Sequence, residues 1–168
     1  MIDTATLIKG ALIGIAGTVL LDVWALFLAR VWNIPATNWA MVGRWLGHIP
    51  RGKFHHTSMS EAESVKGEHA IGWIAHYVIG IGYGLLLLAL WGSAWLTEPT
   101  ILPPLVLSWV LLVAPYFLMM PSMGMGFSGS KTSKPAITRI KSVVSHSVFG
   151  LGMYLAGEAL AHLWPTAV

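Results

Sequence analysis

The sequence predicts an all-α, polytopic membrane protein: four transmembrane helices in a bundle, plus a short interfacial helix between helices one and two. Three observations predict it. Hydrophobic residues make up 55% of the 168 positions and charged residues only 10%, against about a quarter charged in an ordinary soluble domain. Four long apolar stretches each approach the roughly 20 residues needed to cross a hydrocarbon core of about 30 Å. Within these stretches, glycine and a few ionisable residues recur at three- and four-residue spacing, as one face of a helix requires. The whole chain, 1–168, reads as a single transmembrane domain. There is no cysteine, which excludes disulfides, thiolate metal sites and Cys nucleophiles.

The spans are expected at about 6–30, 70–92, 101–120 and 143–163. The first is not a signal peptide by pattern: its apolar run is long, no basic region precedes it, and no small-x-small cleavage site breaks its end. The second runs through Gly72, His76, Gly80 and Gly84. Pro99, Pro103 and Pro104 mark the start of the third and Pro121 its exit, while Pro115 should kink it or free a carbonyl. Trp32, Trp39, Trp45, Trp91, Trp95 and Trp164 fall near span ends, as an aromatic belt does. Between spans one and two, Asn38 to Ile49 patterns as a surface helix, with Trp39, Val42, Trp45, Leu46 and Ile49 on one side and Arg44 and His48 on another. The connections 31–69 and 121–142 hold nearly all the Lys and Arg, so both are expected in the cytoplasm and both termini outside.

Ionisable groups inside apolar spans are costly and mark functional sites. Asp22, His76 and His146 lie about 12, 10 and 7–8 Å from the cytoplasmic edge at about 1.5 Å per residue, on three different spans. They sit on stripes of small residues: Gly10, Gly14, Thr18, Asp22, Ala25 and Ala29 on the first span, and Ser142, His146, Gly150, Met153, Gly157 and Ala161 on the fourth. Glu158 falls near the opposite leaflet. Small stripes permit close helix approach in lipid, so one reading is a satisfied interhelical hydrogen-bond network. The sharper one is an intramembrane polar site of Asp22, His76, His146 and Thr18 that binds or conducts a proton, metal ion or small anion, Asp22 orienting the imidazoles. His76 and His146 would then be metal ligands, and two histidines on separate helices also suit haem iron.

Met119, Met120, Met123 and Met125 cluster around Pro121. Thioethers suit soft ions such as Cu(I), with Met123 and Met125 as ligands; methionine also fills irregular gaps. The segment Gly124 to Lys134 misses the phosphate-loop pattern, because Ser130 separates Gly129 from Lys131. Arg44, Lys131, Lys134 and Arg139 are candidate contacts for anionic lipid headgroups or phosphate. No nucleophile elbow supports Ser-His-Asp chemistry, and the chain reads as a binder or conductor rather than an enzyme. A non-transporting accessory subunit is the competing class, and a haem- or metal-dependent membrane enzyme the third. The expected partners are the bilayer and, in a homodimer, a second copy; no nucleic-acid partner is expected.

The ordered run Gly14, Thr18, Asp22 and Trp24, Gly43-Arg44-Trp45-Leu46-Gly47, Gly67-Glu68, Gly72-Trp73 and His76-Tyr77 continues with Pro121, Gly124, Gly126, Lys131-Thr132, Lys134-Pro135, Arg139, Ser142, His146 and Phe149-Gly150-Leu151-Gly152. It resembles an uncharacterised family of small four-span bacterial inner-membrane proteins, a domain of unknown function. The resemblance covers nearly the whole chain and implies fold and a bacterial inner-membrane location, but no activity. Ser133 stands where a second proline beside Pro135 is expected.

Overall fold

The structure, a computed structural model, describes residues 3–165, and all regular elements among them are helical. Helix α1 runs Thr4–Trp32. Asp3 caps it by accepting the Thr6 N–H at 2.7 Å, and Asn33, in the left-handed conformation, ends it by donating to the Leu28 carbonyl. Helix α2 (Trp39–His48) starts on an Asn38 side-chain cap. Helix α3 spans Glu68–Trp91 and α4 spans Leu102–Val110. Helix α5, Pro135–Leu163, takes proline at its first position, where no backbone donor is needed.

Three helices are long and apolar enough to cross a membrane: Thr4–Trp32, Glu68–Trp91, and α4 with its continuation to Ser122. Helix α5, expected to hold a span at 143–163, begins eight residues earlier and is 29 residues long. It is not among the three; within the expected span Ser145, His146, Ser147 and Glu158 interrupt the apolar run.

Pro115 breaks the third long helix. Lacking an N–H, it cannot donate to Leu111, whose carbonyl instead takes the Ala114 N–H at 3.1 Å. The backbone then widens into a π turn over Pro115–Met119, and the Met120 N–H reaches the Pro115 carbonyl.

The chain divides into two compact units. The first is built from α1, the Tyr77–Val110 segment and α5 from Ser145 onward. Its core is Ile13, Leu87, Leu88, Leu96, Leu107, Phe149 and Met153, each under a tenth exposed. Its helices meet through glycine: a Cβ on Gly14 would lie 2.1 Å from the Gly80 carbonyl oxygen, and one on Gly84 would lie 2.1 Å from that of Gly10. Gly150 lies against Pro104, and Gly152 against Gly17. The expected stripes are thus consumed within one chain. The outward faces are aliphatic and aromatic, with Val23, Leu26, Val78, Leu90 and Leu102 all at least half exposed, a surface that lipid solvates and water does not.

The second unit comprises Ala36–His76 and Leu111–Val144, close to the two basic connections recognised in the sequence. Val42, Trp45, Met59 and Met123 form its core. The His56 N–H donates to the Ser122 carbonyl at 2.8 Å, and Gly124, at φ 84°, lies against the Thr57 carbonyl. The two connections are therefore bonded directly to each other.

Candidate functional site

In the first unit, Asp22 is half-buried on α1, and its carboxylate accepts the Tyr77 hydroxyl proton at 3.0 Å. An acid carried by a helix apolar enough for lipid thus has a donor from a second such helix, as a buried charge requires. Thr18 is fully buried, and its hydroxyl donates back to the Gly14 carbonyl at 2.8 Å. Its single proton is spent at the α1–α3 contact, so its part there is packing. His146 is half-buried on α5. Glu158 faces His162 one turn on, at 3.9 Å. Lys9 is 2% exposed, donates to the Trp164 carbonyl at 2.6 Å and lies over the Trp164 ring.

His76 belongs to the second unit. It is buried, stacked on Trp39 with ring centroids 3.9 Å apart and set edge-on to Trp73 at 5.7 Å. Gly43 and Gly72 bring α2 and α3 close enough for this stack, since a Cβ on either would sit 1.8 Å from a backbone carbonyl oxygen of the other helix.

Arg44 was expected to meet lipid. Its guanidinium instead forms a fork with both Glu68 carboxylate oxygens, at 2.8 and 2.7 Å, and donates to the Met59 and Ala62 carbonyls. Glu68 also accepts the Val65 N–H, so this pair ties α2, the connection and the start of α3 together. The polar side of α2 is therefore turned onto protein, and His48 is buried as well.

A cavity of about 330 Å³ opens in this unit, lined by Met41, Met59, Met123 and Met125 on one hand and by Ser58, Ser60, Lys131 and Thr132 on the other, with Thr57 and Gly124. Two of the expected soft ligands, Met123 and Met125, and one expected anion contact, Lys131, thus share a wall. Met123 also packs with Val42, Trp45 and Met59, so its burial has a packing cause. Lys134 and Arg139 are exposed; Arg139 donates to the Ser128 carbonyl, and its own carbonyl accepts from Tyr116. Asp22, His76 and His146 do not line this cavity. Among the described residues no group of three or more His, Asp or Glu side chains is gathered to hold a metal ion.

Sequence reasoning missed Tyr77 as the Asp22 partner, and it missed His48 with His56. The latter two rings touch, Nδ1 of His48 lying 2.6 Å from Nε2 of His56. No period or motif joins residues eight apart across a helix end and a loop, so nothing in the sequence signals that pair.

The geometry matches no solved structure, and no curated protein matches the sequence. A protein-family model does match, over residues 11–160, and its description is a protein of unknown function, DUF2938. That range takes in α2, α3 and α4 whole and most of α1 and α5, including Asp22, Tyr77, Trp39, Trp73 and His76. The chain belongs to the DUF2938 family of proteins of unknown function.

Proposed function

We propose that this is a four-crossing protein of the bacterial inner membrane that binds or conducts a small polar species, a proton, metal ion or small anion, at an intramembrane site centred on Asp22. The observation that carries the reading is the Tyr77–Asp22 hydrogen bond at 3.0 Å between two lipid-compatible helices. A carboxylate kept at that depth with a polar donor is expensive unless it serves a passing or bound ligand. His146 of the same unit is the imidazole that the spacing argument assigns to it.

Two bonds support four crossings with both termini on one side. Lys9, near the start of α1, bonds to Trp164, just beyond α5. His56 and Ser122 join the two connections. A chain whose first helix begins beside the end of its last, and whose long connections also touch, needs an even number of crossings; α5 supplies the fourth. Clustering of Lys and Arg on those connections puts them in the cytoplasm.

The test is flux in proteoliposomes holding the purified chain, with an internal pH dye or a metal-sensitive dye. Asp22→Asn should reduce uptake at least tenfold, and Tyr77→Phe should reduce it less. Flux of protons, divalent metal and small anions that is equal in wild type, Asp22→Asn and empty vesicles would refute the reading. A second reading, an accessory subunit that holds anionic lipid, is favoured by Lys131 and Thr132 on the wall of the open cavity. Lys131→Ala would then lower retention of anionic lipid through purification while leaving flux unchanged.

A further inference from the structure

His48 and His56 present a chemical anomaly. Their rings are in hydrogen-bond contact at 2.6 Å, and the outer nitrogen of each, Nε2 of His48 and Nδ1 of His56, is buried with no partner. His48 itself is 2% exposed. A neutral pair shares one proton in the contact, so one outer nitrogen must carry N–H and the other a bare lone pair, whichever tautomer is adopted. Leaving each such group unpaired costs about 1–3 kcal/mol. A purely structural link between α2 and the connection would avoid both costs with a Ser or Asn.

We propose that His48 and His56 form a two-imidazole proton relay, a proton-exchange site in the second unit separate from Asp22. With the shared proton on His48 Nδ1, a proton taken up at His48 Nε2 drives the shared one across to His56 Nε2, and the proton on His56 Nδ1 leaves. One proton enters and one departs. The net charge is unchanged, no heavy-atom bond breaks, and the pair ends with its tautomers exchanged. The outer nitrogens are then the uptake and release points, and because both are buried, exchange at them requires water to reach each one.

The two rings have different charged neighbours. On α3 the Glu68 carboxylate, held by Arg44 of α2, interacts electrostatically with His48. Burial, together with His48, Lys53 and His55, pushes the His56 imidazole below its ordinary range. A metal ion between the inner nitrogens fits less well. It would force both outer nitrogens to carry N–H without the carboxylate or carbonyl acceptors that metal-bound imidazoles keep.

The test is nitrogen-15 histidine spectroscopy of the full chain in lipid nanodiscs from pH 5 to 8, with His55→Gln, an exposed neighbour, as an assignment aid. The expected result is scalar coupling between His48 Nδ1 and His56 Nε2, with both inner nitrogens at shifts intermediate between protonated and bare. His48→Gln should abolish the coupling and leave His56 in one tautomer. Absence of coupling in the wild type, or one fixed tautomer for each ring across the whole range, would overturn the proposal without any variant. So would retention of added Zn(II) alone with both inner nitrogens shifting as ligands.

Discussion

Alanine at Gly84 should destabilise the protein and alanine at Gly82 should not, although the two lie two residues apart on α3. A Cβ on Gly84 would sit 2.1 Å from the Gly10 carbonyl oxygen and 2.5 Å from the Gly14 nitrogen, where ordinary contact begins at 3.4 Å. Both obstacles are backbone, so α1 must withdraw by about 1.3 Å. Overpacking of this kind costs about 1–3 kcal/mol, and a gap of 0.5–1 Å forfeits roughly a quarter to a half of each contact well along the helix pair. Alanine returns only about 1 kcal/mol of helix propensity. In lipid no hydrophobic force replaces the lost contact, so the overpacking term wins, leaving a net loss of up to about 2 kcal/mol. For a chain of this length that corresponds to a fall in Tm of roughly 4–8 °C. Gly82 has nothing within 4 Å of its Cβ position, so Gly82→Ala keeps the propensity gain and should leave Tm unchanged or raise it. The assay is thermal unfolding of the purified variants in one detergent, followed by circular dichroism. Equal tolerance of the two substitutions would refute a chain-internal glycine contact between α1 and α3.

Other outcomes follow from the remaining contacts. Leu87, fully buried in the first unit, should cost about 2–5 kcal/mol when replaced by alanine, read as a lower midpoint in the same unfolding assay. Glu68→Gln should destabilise the second unit because Arg44 keeps its charge and loses its acceptor; the double variant Arg44→Met, Glu68→Met should recover part of the loss, and no recovery would mean that the pair contributes net stability. His56 has a folded-state pKa below 6.5, so the unfolded chain binds more protons there. Stability should be full above pH 6.5 and decline as pH falls below it, and His56→Gln should flatten that decline.

How much of this was readable in advance differs between the two units for a physical reason. Helix existence and the buried faces of α1 and α5 follow from spacing, because Gly14, Gly150 and Gly157 lie where a period of 3.6 puts them, and all are buried. The Asp22 partner was not readable. Tyr77 is adjacent to His76 in sequence, and which of two successive residues turns toward Asp22 depends on the rotation of α3, which is set by the Gly84–Gly10 contact rather than by local pattern. The partner of the α2 polar side was not readable either. Arg44 and His48 form a polar side, but a polar side can face water or a carboxylate, and only the position of Glu68, 24 residues away, decides it. The start of α5 at Pro135 was legible from proline chemistry, yet the hydropathy limit at 143 masked it.

The two units are also held together by different chemistry. In the first, the contacts are glycine against backbone carbonyl, a threonine and a serine bonded back to their own helices, and aliphatic side chains. This is how helices associate where lipid competes for apolar surface and close van der Waals approach is the attraction left. In the second, a forked Arg44–Glu68 pair, Trp45 donating to the Phe54 carbonyl, and the His48–His56 contact carry the cohesion. On the four-crossing topology proposed above, the two connections that form the second unit lie on the cytoplasmic side. It yields a sharp expectation. Cysteines placed at Ser60 and Lys134, both exposed in the second unit, should react with a membrane-impermeant maleimide only in inside-out vesicles, whereas one at Pro165 should react only in right-side-out vesicles. Labelling of Ser60→Cys and Pro165→Cys from the same face would break the four-crossing topology and, with it, the reading of Asp22 as an intramembrane acid reached from the cytoplasm.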